Sequence, residues 1–136
     1  MRFDTKIAVL LRDDLAGWQQ LNVTAFLVSG LAASRPELIG EPYQDADGST
    51  YLPLLVQPVV VLEAGAAELQ RSRERADRRG IEIAVYTHDM FATGGDEDNR
   101  AVVRAVPGVE LDLVGIGLRA PHRDADAVIR GLARHP

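Results

Sequence analysis

A chain of 136 residues carrying a formal charge of −5 is long enough for one domain with its own core. It is too acidic overall for nucleic acid to be a dominant partner, although a local basic patch can hide in an acidic total. It contains no cysteine, which excludes disulfides, thiol catalysis and thiolate metal sites and fits a cytoplasmic setting.

Lys6-Ile7-Ala8-Val9-Leu10-Leu11 reads as a buried strand, too short for the apolar core of a secretory leader. No later stretch has the length needed to cross a bilayer. Arg12-Asp13-Asp14 closes the strand, and residues 18 to about 33 form a helix that ends ahead of Pro36. A hairpin follows, with arms at 41–44 and 50–52 around the turn Asp45-Ala46-Asp47-Gly48, because the Asp-Gly pair accepts positive φ at little cost. Leu54-Leu55-Val56 lies between Pro53 and Pro58 and reads as edge strand or loop.

Val59-Val60-Val61-Leu62 lacks alternation, as a strand covered on both faces does. A charged helix over 66–79 stops at Gly80, and 81–86 is the next strand. An irregular segment over 87–95 leads to a short helix from about 97 to 106 with acidic residues at its start. The last strand spans 111–118. A final amphipathic helix carries Ala125, Val128, Ile129 and Leu132 on one face. This order predicts a single domain over 1–136, an α/β sandwich with a mostly parallel sheet.

The first strand runs straight into a helix, which is where α/β proteins build ligand sites. On a helical wheel Leu21, Ala25, Leu27, Val28, Leu31 and Ala32 fill one apolar arc, with Gln20 and Thr24 in its middle. Gln20 capping first-turn backbone groups and Thr24 bonding the carbonyl four residues earlier is one reading. The other is that both line a pocket, since unpaired buried polar groups cost about 1–3 kcal/mol each. Phe26, on the polar side, is either an isolated exposed aromatic or part of a subunit contact.

In the segment after Tyr86, His88 and Asp89 have the chemistry of a general base and its partner. Thr93 and Asp96 have the spacing of a helix capping box, and Gly94-Gly95 shapes the loop. Asp13, Gln20, Thr24, Thr87 and His88 are thus the candidate pocket residues, with no catalytic residue assigned and no metal site or cofactor expected.

Gly115-Ile116-Gly117 resembles part of a dinucleotide fingerprint but sits inside an apolar strand, with no acidic residue about twenty positions on. Asp45-Ala46-Asp47-Gly48 resembles a calcium loop with its glycine two places early. Arg71, Arg75 and Arg78 line one side of the second helix, with Glu68 and Glu74 spaced to pair with Arg71 and Arg78. That face reads as a salt-bridged solvated surface or as a patch for RNA or an acidic partner.

Lys6-Ile7-Ala8-Val9 with Arg12-Asp13-Asp14-Leu15, the stretch from Trp18 to Leu27, Glu37-Leu38-Ile39-Gly40-Glu41-Pro42-Tyr43, Val85-Tyr86-Thr87 with Met90-Phe91-Ala92-Thr93-Gly94, and Asp112-Leu113-Val114-Gly115-Ile116 together resemble the bacterial family known as domain of unknown function 2000. The resemblance runs over nearly the whole chain and implies no established activity. It implies a fold similar to type II peptidyl-tRNA hydrolase, a three-layer sandwich whose four-stranded mixed sheet lies between helices, often dimeric. Within that resemblance the enzyme's functional lysine falls at Gln20, its glutamine at Thr24, and its aspartate-alanine-glycine at Thr87-His88-Asp89.

The expectation is a protein that binds a small ligand at the carboxyl edge of the sheet without peptidyl-tRNA hydrolase activity, as a homodimer. A hydrolase acting on an aminoacyl or peptidyl ester, and a purely structural dimer, are the alternatives.

Overall fold

The computed structural model describes residues 3–136. The central strand, β1 (Thr5–Arg12), is the apolar run at the start of the chain. α1 (Gly17–Ser34) follows, and the hairpin β2 (Tyr43–Gln44) and β3 (Thr50–Tyr51) stands apart as its own two-stranded sheet. Next come β4 (Val59–Ala64), α2 (Ala66–Arg78), β5 (Ile83–Thr87), α3 (Asp96–Arg104), β6 (Leu113–Pro121), α4 (His122–Val128) and β7 (Ala133–Arg134).

The main sheet has five strands in the order β5-β6-β1-β4-β7. It is mixed, as the resemblance implies, but neither four-stranded nor mostly parallel. Only β1 and β4 pair in parallel; β1–β6, β5–β6 and β4–β7 are antiparallel. Three strands do point the same way, because the helix crossovers after β1 and β4 keep direction. β6 inserts between β5 and β1 in the opposite sense, and that reversal removes all but one parallel contact.

Alternation along β1 feeds two cores. Ala8 and Leu10 face α2 and α4, with Leu62, Leu69, Ile116, Leu118, Ala125 and Val128. Ile7, Val9 and Leu11 face α1, with Val23, Leu27 and Leu31. Helices on both faces of one sheet give the expected three layers.

Gly115 and Gly117 let α1 settle onto β6. A Cβ at Gly115 would lie 2.6 Å from Val23 Cγ1, and one at Gly117 would lie 3.1 Å from Leu27 Cβ. The paired glycines of the fingerprint-like run are therefore a packing seat for a helix.

Punctuation follows local chemistry. Gly80, at φ +66°, ends α2 in a Schellman arrangement, with Ile81 N–H donating to Ala76 O at 2.9 Å and Gly80 N–H to Asp77 O at 3.1 Å. The Asp45 carboxylate accepts from Asp47 N–H at 2.9 Å, Ser49 N–H at 3.0 Å and Tyr51 O–H at 2.7 Å, so it is consumed by its own hairpin.

Of the two readings for residues 54–56, the loop is the one observed, tied to residues 38–40 by an isolated Ile39–Leu55 bridge and by Gly40 N–H to Leu54 O and Val56 N–H to Leu38 O, both at 2.9 Å. Two local expectations change. The last helix stops at Val128; the chain turns through Gly131 at φ +88° and returns as β7, while Ile129 and Leu132 still pack on the core. The buried line of α1 is Val23, Leu27 and Leu31, whereas Leu21 is 76% exposed and Ala25 is also exposed. The wheel was rotated because the sheet meets the helix where β6 has no side chains.

Candidate functional site

α1 packs chiefly on β6, β5 and β1, with the half-buried Val59 and Val61 of β4 at its flank. The helix therefore divides the face into two grooves, both reaching toward the carboxyl edge formed by the ends of β1, β4 and β5.

The groove on the β5 side is an aromatic cleft of about 770 Å³. Trp18, Asn22 and Phe26 on one side of α1 contribute at intervals of four residues, so they share one face.

 The turn after β5 (His88–Ala92) brings in Met90 and Phe91, and α3 supplies Asn99, Arg100, Val103 and Arg104. Four of the chain's seven aromatic residues meet here. Trp18 stands edge-on to Phe91 with centroids 5.9 Å apart, Phe26 edge-on to Tyr86 at 5.6 Å, and Tyr86 lies tilted against Phe91 at 5.2 Å. These are the offsets that aromatic quadrupoles favour. Trp18 nevertheless remains 64% exposed, and burial raises the Tyr86 pKa, keeping the phenol neutral.

The loop between the turn and α3 is shaped by Thr93 rather than by a capping box. Thr93 Oγ1 donates to Met90 O at 2.9 Å and also bonds the Asn99 side chain, while Gly95 takes the N-cap position. Arg100 pairs with Asp96 one turn earlier on α3; Arg104 has no carboxylate partner among the described residues. The cleft thus has an apolar floor and, among the described residues, one cation on its rim without a carboxylate partner, Arg104.

The groove on the β4 side, about 620 Å³, holds Gln20 and Thr24 with Leu11, Leu21, Val28, Val61 and His135. Thr24 Oγ1 donates to Gln20 O at 2.7 Å, the back-bond expected of a helical threonine. Gln20 Nε2 donates to Leu15 O at 3.3 Å, and Gln20 Oε1 lies 3.0 Å from His135 Nε2. Both side chains are therefore satisfied within the chain.

The remaining candidates sit apart from both grooves, at the carboxyl edge. Thr87 is buried, and its Oγ1 has no partner among the described residues. His88 is exposed, its ring 5.9 Å from Phe91 and its backbone N–H donating to Asp112 O at 2.9 Å. Asp13 is exposed, anchored through its N–H to Ala64 O at 3.0 Å. Gln20 and Thr24 are thus brought together, while Thr87, His88 and Asp13 do not share their groove.

Between these residues lies a buried arginine. Arg12 Nε donates to Asp14 at 2.8 Å, and Nη1 donates to Asp112 and to Leu113 O at 3.2 Å. Burial opposes its charge, but the hydrogen bonds to the two carboxylates outweigh that and raise its pKa. The Arg12 hydrogen bond in turn holds Asp14 below the ordinary carboxylate range. Arg12 acts as a clamp between the end of β1 and the start of β6.

Sequence reasoning missed the aromatic cleft. The spacing of Trp18, Asn22 and Phe26 was a usable signal, since residues four apart on a helix form a stripe. Arg12 and His135 carried no such signal, because Asp112, Leu113 and Gln20, which complete their contacts, lie 100 or more residues away.

The model of a family described as protein of unknown function (DUF2000) matches residues 5–136. Among solved structures the chain is similar to that of a protein of unknown function, Atu0240, from Agrobacterium tumefaciens strain C58. The two are 46% identical, with 99% of this chain and 100% of that one covered and a TM-score of 0.97. No curated protein matches.

Proposed function

The chain belongs to the DUF2000 family of proteins of unknown function, and we propose that it binds a small, flat, anionic ligand in the aromatic cleft. The observation that carries this reading is Trp18, 64% exposed yet packed edge-on against Phe91 at the mouth of a cleft of about 770 Å³. An exposed tryptophan face beside a free arginine, Arg104, offers stacking for a planar body and a charge for an anionic end. The cleft is within the usual size of small-molecule sites, roughly 300–1,000 Å³.

The same proposal holds that the chain has no appreciable peptidyl-tRNA hydrolase activity. Where the resemblance places a lysine, Gln20 offers a neutral amide already engaged by Leu15 O and His135. Losing a donor that stabilises developing negative charge costs on the order of 10²–10³ in rate.

Trp18 is the only tryptophan, so its indole N–H gives a single resonance in a ¹⁵N-labelled sample. Titration with naphthalene-2-carboxylate is expected to shift that resonance together with those of Phe91 and Val103. Trp18→Ala and Arg104→Gln are each expected to weaken binding by about 1 kcal/mol or more. Unmoved resonances at millimolar probe would refute the reading.

A homodimer is part of the same proposal, supported by exposed apolar side chains away from the cleft. Leu21 is 76% exposed, and Leu52, Leu54 and Val56, after the hairpin, are 83%, 61% and 45% exposed. Phe26 does not serve this purpose, since it leans on Tyr86. Sedimentation should give twice 14.8 kDa, and a monomer at tens of micromolar, roughly the range of a moderately weak complex, would remove this part of the proposal.

A further inference from the structure

The opposite face of the molecule, where α2 lies beside the end of α4, concentrates positive charge in an acidic chain. Arg71, Arg75, Arg78 and Arg79 from α2 and its C-cap form one bank of a groove of about 580 Å³, and Arg130 forms the other. Glu74 is the only carboxylate lining it. Five guanidiniums against one carboxylate give the groove +4, and a total of −5 then leaves −9 on the rest of the chain.

The expected neutralising pairs are largely absent. Glu68 turns back to accept from Gly65 N–H at 2.9 Å, so it caps the helix instead of meeting Arg71. Glu74 reaches only to 3.9 Å from Arg78, and Arg79 pairs with Asp124 at 3.3 Å. Arg71, Arg75 and Arg130 have no carboxylate partner among the described residues; Arg75 donates instead to Arg130 O at 3.3 Å. Cations in the last turn of a helix suit its dipole, which accounts for Arg75 and Arg78. It does not account for Arg71, further up the helix, or for Arg130 on a different element.

The row from Arg71 to Arg79 spans about 12 Å at 1.5 Å per residue, with like charges stacked at helical neighbours, an arrangement that costs stability unless an anion neutralises it. Guanidinium forks match phosphate oxygens in pairs. Ala127 is the only apolar residue lining the groove, which leaves little to anchor a peptide. No aromatic lines it either, so nothing stacks a base. The negative remainder of the surface repels a long polyanion.

We propose that this groove is a binding site for a short oligophosphate chain, recognised through its phosphates alone. The site is separate from the aromatic cleft, and its occupancy does not depend on the ligand proposed there.

Isothermal titration of the intact protein at low salt with sodium tripolyphosphate tests the assignment. One tripolyphosphate per chain is expected, with orthophosphate at least tenfold weaker. Arg71→Gln and Arg130→Gln are each expected to weaken tripolyphosphate by about tenfold. Arg123→Gln, an exposed change of the same charge outside the groove, is expected to leave binding within about twofold. Arg71 makes no internal hydrogen bond among those described, and equal melting temperatures of the variants would confirm intact folds. Absence of binding at millimolar tripolyphosphate would overturn the proposal, as would an equal loss in Arg123→Gln. Hexaglutamate binding as tightly as tripolyphosphate would also overturn it, and so would a twelve-nucleotide oligothymidylate binding more tightly.

Discussion

Replacing Gly115 by alanine should be the most damaging single methyl addition in this fold. The new Cβ would lie 2.6 Å from Val23 Cγ1, 3.0 Å from Leu27 Cδ1 and 3.5 Å from Leu10 O. Carbon atoms prefer separations of roughly 3.5–4.0 Å, so α1 has to retreat by about 1 Å or two core side chains must leave their rotamers. Overpacking of this kind costs about 1–3 kcal/mol, and two close contacts in a buried seam place this site near the top of that range.

At roughly 4 °C per kcal/mol for a domain of this size, the melting temperature should fall by about 10 °C. Gly117→Ala, whose nearest contact is 3.1 Å from Leu27 Cβ, should cost about half as much. Gly30→Ala meets only Ala84 Cβ at 3.4 Å and should be neutral or stabilising by up to about 1 kcal/mol, because alanine is the better helix former. Adding Val23→Ala to the Gly115→Ala protein should recover part of the loss, a coupling that a double-mutant cycle reads directly. Thermal and urea unfolding of the series would check the ranking. A Gly115→Ala protein melting within a degree or two of the parent would refute the view that these glycines seat the helix.

The Arg12 clamp makes stability depend on pH. Asp14 has a folded pKa below its ordinary 3.8, so its contribution is present above the ordinary value and lost as pH falls through the folded one. Asp14→Asn should therefore be less stable than the parent at pH 7, with the difference shrinking as pH falls from 3.8 through the lower folded value, read by urea unfolding at each pH. Thr24→Val removes only a bond to Gln20 O and should change stability by less than about 0.5 kcal/mol. It should leave naphthalene-2-carboxylate binding unchanged, whereas a large loss would move the site to the other groove. Gly80→Ala forces an L side chain to φ +66° and should cost about 1–2 kcal/mol, measured by chemical denaturation.

The strands and helices were legible wherever one local rule was enough. Residues 6–11 are apolar without interruption, Gly80 follows a charged helix, and Asp45 to Gly48 is a turn by composition. What escaped depended on partners far along the chain. The direction of β6 is set by pairing with β1 across more than a hundred residues, which no local pattern records. The face that α1 buries is set by two glycines on that same distant strand, so a wheel drawn on the helix alone placed Leu21 and Ala25 inward. Gln20 and Thr24 border a groove, and Leu15 O, His135 and Gln20 O satisfy their polar atoms within the chain, with the Thr24 back-bond being the one that helix chemistry alone supplies. The aromatic cleft assembles Trp18 and Phe26 with Tyr86 and Phe91 from the far half of the chain.

The position of β1 also has a consequence during synthesis. The strand at the centre of the sheet is the first to be made, and its two neighbours, β4 and β6, arrive about 50 and about 110 residues later. At roughly 5–20 residues per second, the ribosome takes about 5–20 s to supply the second. Through that interval Ile7 to Leu11 is an unpaired apolar edge, the kind of segment that recruits strands from other chains. Lys6 at one end and Arg12-Asp13-Asp14 at the other are charges of the type that guard such edges. Arg12, the clamp residue of the finished fold, is thus also one of the charges that flank the apolar strand on the nascent chain.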